Sequence, residues 1–415
     1  MDTSSPDRVR LSAKEAQELS ERVLRKIGYD AEEARIIADH VVDAALCGYE
    51  YSGLPKILNV AEHRKLRQPR QRMRALRETP VSALFDGGNN NGMVAMYRAT
   101  QVAIAKASEH GFAVVGVNNA WVSGRGALYV EMAARAGLIG IHSVSSRAHV
   151  AAPGSAGRAT GTNPIAFAFP TQDEPFVIDV STAAFMGTDL KFQVRRKAVL
   201  PEGVAMDKQG RPTRDPAQVH AILPLGGYKG FAIALAMQAL GVLAGSGLGD
   251  DKYYGYLIMA IKPDLLLPLE DYRRDMSAML ARIKATPRQP GVDEIRLPGE
   301  RSARDRARHL KEGIEIDKKI YDATGAVCPP GVPRTGDTAY LGTGLRTPTR
   351  RPPRGQLTAR QKAGNRRVSR RRIVAEHGIG KMKVWRIASE RYRNPRRRHT
   401  LTIKNVAGLH NLMYA

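Results

Sequence analysis

Two glycine-rich segments carry the residue types best suited to gripping a phosphate. Residues 154 to 164 read Gly-Ser-Ala-Gly-Arg-Ala-Thr-Gly-Thr-Asn-Pro. Amides with little side-chain cover, with Arg158 among them, can cradle an oxyanion. The run lacks the G-x-G-x-x-G spacing and the strand-then-helix setting of a Rossmann fingerprint, so a plain surface loop explains it equally well. Residues 223 to 230, Leu-Pro-Leu-Gly-Gly-Tyr-Lys-Gly, are more specific. Gly226 and Gly227 let the backbone approach a ligand, Lys229 supplies a point charge, and a helix is expected to begin directly afterwards. His142 and His149 precede the first loop, where a lone histidine is more often a satisfied neighbour than an acid or base. Cys47 and Cys328 are the only cysteines. They give neither a disulfide framework nor zinc-ligand spacing, and a reducing cytoplasmic setting is expected.

These segments need a scaffold, and the pattern around them is that of an α/β fold. The 415 residues are 43% apolar and 25% charged, which excludes a disordered or fibrous chain. Ser12 with Glu15, and Asp30 with Glu33, form capping-box patterns ahead of apolar stripes, so two packed helices are expected. A third helix is expected over 92–110, leading into a Val-rich strand at 112–117. Helix 127–136 and strand 138–144 follow, then short strands at 165–169 and 176–180, a strand at 253–261 and a helix at 267–283. Alternation of helix and strand implies α/β layering. The apolar run 231–248 reads as a buried helix, membrane insertion being the minor alternative. Residues 1–10 have no apolar core of a secretory signal.

Five linked blocks give these residues a family context. Residues 161–167 (Gly-Thr-Asn-Pro-Ile-Ala-Phe), 177–182 (Val-Ile-Asp-Val-Ser-Thr), 200–213 around Pro201-Glu202-Gly203, 224–230 and 297–301 (Leu-Pro-Gly-Glu-Arg) resemble the type-2 malate/L-lactate dehydrogenase family of NAD(P)-dependent oxidoreductases. The resemblance implies a non-Rossmann NAD(P)-binding fold, usually homodimeric. It also implies hydride transfer between nicotinamide and a small 2-hydroxy or 2-oxo acid, or a cyclic imino acid. Carried over by position, Ser146, Thr162, Asn163, Asp179, Ser181, Gly227, Lys229, Gly299, Glu300 and Arg301 would contact NAD or NADP. Gly126, downstream of Asn119, is a further candidate.

The catalytic positions depart from the family. Its Ser-His-Gly-x-x-Arg segment is here Tyr51-Ser52-Gly53-Leu54-Pro55-Lys56, and its second histidine, usually the acid/base, aligns with Val122. A carbonyl or imine that takes up a hydride still needs a proton donor, and valine has none. Lys56, Ser52 and Tyr51 are the nearest candidates in the matching segment, although Tyr51 could equally be a core aromatic and Lys56 a solvated charge. An imine substrate would need less help, because its nitrogen can arrive protonated.

The formal charge of +25 is lopsided. Residues 331–415 hold 21 Lys and Arg against three acids, leaving the first 330 residues with only +7. The tail resembles the C-terminal half of a DDE-class insertion-sequence transposase, through residues 336–342, 357–362, 365–367, 372–380 and 391–394. In that family two Asp and one Glu hold two catalytic metal ions. Asp337 and Glu376 would be the second and third, and the first is missing, so no nuclease activity is expected. The arginines can still attract nucleic-acid phosphates non-specifically. The organisation read from sequence is an oxidoreductase domain at 1–325, a Gly/Pro-rich basic segment at 326–356 and a transposase-derived, partial RNase-H-like fragment at 357–415.

Overall fold

A computed structural model describes residues 8–196, 198–247, 254–325, 327 and 358–366. The chain divides into two units, 1–330 and 331–415. Of the second, only a short helix over 359–366 is described, with Thr358 Oγ1 accepting the Gln361 N–H. Cys328, Asp337 and Glu376, and with them the expected transposase-like site, lie outside the described residues.

The first unit runs β1 (Arg8–Leu11), α1 (Ala13–Lys26), α2 (Ala31–Leu46), α3 (Pro55–Glu62), β2 (Arg74–Thr79), β3 (Ser82–Asn91), α4 (Gly92–His110), β4 (Phe112–Trp121), α5 (Ala127–Arg135) and β5 (Ile139–Ser145). It continues with β6 (Val150–Ala151), β7 (Arg158–Thr160), β8 (Ile165–Phe169), β9 (Phe176–Val180), α6 (Gly187–Arg196), β10 (Ala205–Met206), β11 (Ala221–Ile222) and α7 (Tyr228–Leu243). Last come β12 (Gly255–Ile261), α8 (Leu269–Lys284), α9 (Glu300–Glu312), β13 (Ile314–Asp317) and α10 (Lys318–Gly325). Both expected capping boxes form: Ser12 and Asp30 accept from the N–H groups of Glu15 and Glu33, whose carboxylates reach back.

Seven strands make the main sheet in the order β2-β3-β4-β12-β5-β8-β9. Only β3 and β4 are parallel, joined by α4 as one βαβ unit; every other pairing is antiparallel. This is therefore not a doubly wound sheet with a dinucleotide site at a strand-order reversal. Helix α4 places Ala95, Ala99, Ala103 and Ala107 on one buried stripe, and these small side chains seat the helix against the Val-rich β4. Strand β12, flanked on both sides, is almost continuously apolar, as a strand covered on both faces must be. A separate helical core gathers α1, α2 and α3 with β1 and β13, whose antiparallel pairing ties the start of this unit to its end.

Helix α3 and the β2–β3 hairpin are absent from the sequence-based expectations. The hairpin's outer strand is exposed along most of its length, so it carries no apolar alternation to betray it. Helix α7 begins at Tyr228, earlier than the apolar run suggested. No helix among the described residues is long and apolar enough to cross a membrane.

Candidate functional site

Strand β9 and the chain leaving it connect most of the expected cofactor residues. At its C-terminal end Ser181 Oγ donates to the Thr162 carbonyl at 3.1 Å, and Thr182 Oγ1 bonds the same carbonyl at 3.0 Å. Asn163 is fully buried beneath them. Its Oδ1 accepts the Ser146 N–H at 3.1 Å, while Nδ2 donates to the Ala234 carbonyl and to Gln238 Oε1, both on α7. Leu225 N–H then bonds the Thr182 carbonyl at 2.9 Å, hanging the Gly226–Gly227 turn from the same knot.

That turn fits an anionic group. Gly226 and Gly227 both take positive φ, and a β-carbon on either would meet open space, so the turn faces outward. Gly227 caps α7 without any side-chain hydrogen bond, and Lys229 is exposed in its first turn. A glycine-capped helix N-terminus beside a lysine matches a dinucleotide's phosphates.

Upstream along β9, Asp179 lines a cleft of about 510 Å³ bounded by α5, α8, α9 and the β8–β9 turn. Gly299 and Glu300 line it too; a β-carbon on Gly299 would sit 2.8 Å from the Val177 carbonyl, so only glycine lets α9 start against β9. Arg301 stacks over the Tyr49 ring at 4.8 Å and pairs with Asp305. Asp179 Oδ2 accepts the Ala127 N–H at 2.8 Å, yet burial outweighs this bond and raises its pKa.

The cleft wall also holds an alternating charge square that sequence reasoning missed. Arg125 pairs with Asp43 at 2.6 Å and with Glu131 at 3.4 Å; Arg306 pairs with the same two acids at 2.8 and 3.0 Å. Its members come from three separate stretches of chain, at residue 43, residues 125–131 and residue 306, so no local motif announces them.

Tyr51, Ser52 and Lys56, the expected catalytic residues, are not among those lining the cleft, although Tyr51 feels the charge of Asp179. Tyr51 and Ser52 sit in a short helical turn against α6; burial, then the nearby charges of Asp189 and Asp179, push the Tyr51 phenol up to about 12. Lys56 is buried, not the solvated charge that was one expectation for it. It acts on His40, whose pKa is lowered to about 3 first by burial and then by Arg125 and Lys56. His40 Nε2 accepts the Arg125 N–H at 2.7 Å and packs over Gly124, clamping residues 122–126. Within that loop Val122 adopts φ +60°, a strained conformation for a β-branched residue. His149 is half-buried beside Thr162 and Gly187, whereas His142 is enclosed within β5. Among the described residues no cluster of His, Cys, Asp and Glu is arranged to hold a metal ion.

A mixed sheet with one parallel pair, a glycine-capped helix and an acid-floored cleft place this scaffold outside the Rossmann class. The chain belongs to the malate/L-lactate dehydrogenase family, whose model matches residues 11–324. It is 34% identical over 320 residues to the L-sulfolactate dehydrogenase of Methanocaldococcus jannaschii, covering 74% of this chain and 92% of that one. It is 33% identical over 331 residues to the ureidoglycolate dehydrogenase (NAD(+)) of Escherichia coli O157:H7, covering 75% and 94%. The solved malate dehydrogenase of Pyrococcus horikoshii superposes with a TM-score of 0.69 at 29% identity, covering 78% of this chain and 95% of that one. A second family model, the DDE superfamily endonuclease, matches residues 307–411 and overlaps the first from 307 to 324.

Proposed function

We propose that residues 1–325 transfer a hydride between NAD or NADP and a small 2-hydroxy or 2-oxo acid, or a cyclic imino acid. The observation that carries this reading is the continuous path from the cleft through Asp179, Ser181 and Asn163 to the glycine-capped start of α7. Bound nicotinamide would supply or accept the hydride; the protein's own task is to hold substrate and proton. Arg125 and Arg306 stand on the cleft wall beside Tyr49, each paired with Asp43 and Glu131 in a charge-balanced square that braces the wall. Ser146, Thr162, Asn163, Asp179, Ser181, Gly227, Lys229, Gly299, Glu300 and Arg301 remain the residues proposed to hold the cofactor, and Tyr51, Ser52 and Lys56 those proposed to meet the substrate.

Fluorescence titration of the whole chain with NADH and NADPH tests this. Saturable binding is expected, followed by turnover on a panel holding malate, lactate, sulfolactate, ureidoglycolate and cyclic imino acids. Retention on DNA that falls steeply with salt, without binding of either nicotinamide, would instead favour an inert fusion whose basic tail binds nucleic acid.

The unit is also proposed to work as a homodimer. Helix α7 buries Gly230, Ala234, Met237 and Gly241 but leaves Tyr228, Ile233, Leu235, Val242 and Leu243 exposed. An apolar outer face of this size is unusual on a monomer. Light scattering should give twice the chain mass, and Leu235→Asp with Val242→Asp should halve it; a wild-type monomer would remove the proposal.

A further inference from the structure

Tyr49 touches two turns to which the reading above gives different work. On one side lies the start of α9, directly after the Gly299–Arg301 turn proposed to hold the cofactor. Ser302 Oγ donates to the Tyr49 hydroxyl at 3.0 Å, and the Arg301 guanidinium lies over the Tyr49 ring at 4.8 Å. The absence of a side chain at residue 48 allows this approach. Gly48 takes φ +79°, and a β-carbon on it would sit 2.6 Å from Oδ2 of Asp305 and 3.0 Å from Nη1 of Arg301. Tyr49 and Ser302 both line the cleft.

On the other side Tyr49 carries the segment proposed to meet the substrate. Its carbonyl accepts the N–H groups of Ser52 at 3.0 Å and Gly53 at 2.9 Å, and the Gly53 carbonyl in turn accepts the Lys56 N–H at 2.9 Å. The Tyr51 ring meets the Tyr49 ring edge-on, with centroids 6.5 Å apart and planes at 81°. A residue on the cleft wall is thus bonded to residues that stand off it. The turn has a second anchor that does not involve α9: the Glu50 carboxylate accepts from Arg8 at 2.8 Å and from the Asp317 N–H at 3.2 Å. Helix α9 itself starts at Gly299 with no side-chain cap, and the Arg301 side chain is 50% exposed. Its first turn is therefore free to gain order from a bound molecule, and order gained at one site lowers the cost of binding at a second site joined to it.

We propose that Tyr49 is a positioning residue that couples the two turns: when 299–301 is occupied the start of α9 is fixed, and the Tyr49 hydroxyl, ring and carbonyl pass that order to Ser52, Gly53 and Lys56. This rests on the oxidoreductase reading above. The coupling runs both ways, so an acid held at 51–56 strengthens occupancy of 299–301 by the same factor. It also gives residues outside the cleft a bonded route by which the state of the cleft reaches them.

The test is amide hydrogen exchange on the full chain, with and without saturating NADH, or NADPH where that is the nucleotide bound. In wild type the nucleotide should slow exchange of the Ser52, Gly53 and Lys56 amides at least about fivefold. Tyr49→Leu should bind the nucleotide within about threefold of wild type yet cut that protection below about twofold. Tyr49→Phe keeps the ring under Arg301 but loses the hydroxyl, and should keep part of the protection. Ser302→Ala removes the same bond from the α9 side, should match Tyr49→Phe, and carries the test if Tyr49→Leu does not fold. Arg8→Met loosens the turn through Glu50, away from α9, and should speed exchange equally in both states, leaving the ratio unchanged. With a substrate from the panel, Tyr49→Leu should raise KM at saturating nucleotide at least about fivefold. The proposal is overturned if Tyr49→Leu, or Ser302→Ala in its place, keeps the wild-type ratio, or if Arg8→Met abolishes that ratio as fully, which would make Tyr49 a packing residue only. If wild type binds neither NADH nor NADPH, the oxidoreductase reading falls and this falls with it; wild-type binding that leaves 52–56 unprotected sinks this proposal alone.

Discussion

Arg125→Met is expected to lower the stability of the dehydrogenase unit by about 3–5 kcal/mol, the range for breaking one side of a buried ion pair. The Arg125 side chain is only 8% exposed, and its partners Asp43 and Glu131 are 20% and 13% exposed. In the intact square each carboxylate meets two guanidiniums and each guanidinium meets two carboxylates. Without Arg125, two carboxylates share Arg306 in a setting with little water to screen them. Methionine replaces much of the side chain's volume, so a cavity contributes little and the loss reports the charge. Urea unfolding of wild type, Arg125→Met and Arg125→Met with Asp43→Asn measures it. The double variant should recover part of the loss, because removing one acid relieves the imbalance. A change under about 1 kcal/mol in the single variant would mean that solvent or movement of Arg306 compensates, and the square would then be a surface feature.

What the sequence revealed and what it hid follow from how local each signal is. Both capping boxes span three residues and form as read. Strands β8 and β9 and helix α4 fall at the expected bounds, since each is a run with its own periodicity and turn signals. The family blocks could be found because each is contiguous. The charge square could not, because residues 43 and 306 meet 125 and 131 only through packing of α2 and α9 on α5 and the loop before it. His142 offers a similar lesson. As a lone histidine its expected role was a satisfied neighbour, and Nδ1 is indeed satisfied by Leu257, but the bare Nε2 depends on the register of three strands. The room that glycine leaves at 126 is likewise visible only once the neighbours of the missing β-carbon are known.

Acidification from pH 7 to pH 5 is expected to remove about 4 kcal/mol of stability through two histidines alone. Burial lowers His40 to about 3 and His142 to about 4, so both rings stay neutral in the folded chain across this interval. In the unfolded chain each protonates near its ordinary value of about 6.5. The unfolded state therefore binds more protons throughout the window. The stability present above about pH 6.5 is lost as pH falls toward the folded values, at up to about 1.4 kcal/mol per unit per ring. Asp179, whose folded pKa is raised, opposes this below its own folded pKa, because there the folded state binds the extra proton. Urea midpoints at pH 7, 6 and 5 should fall steadily, and His40→Gln or His142→Gln should each remove about half of the slope. His40→Gln is the more informative variant, since His40 Nε2 also receives the Arg125 N–H that holds the 122–126 loop. A glutamine oxygen can accept that bond, so loop and turnover should survive while the pH slope flattens. A stability flat between pH 7 and pH 5 in wild type would show that the two rings protonate in place, and that water reaches a core now drawn as closed.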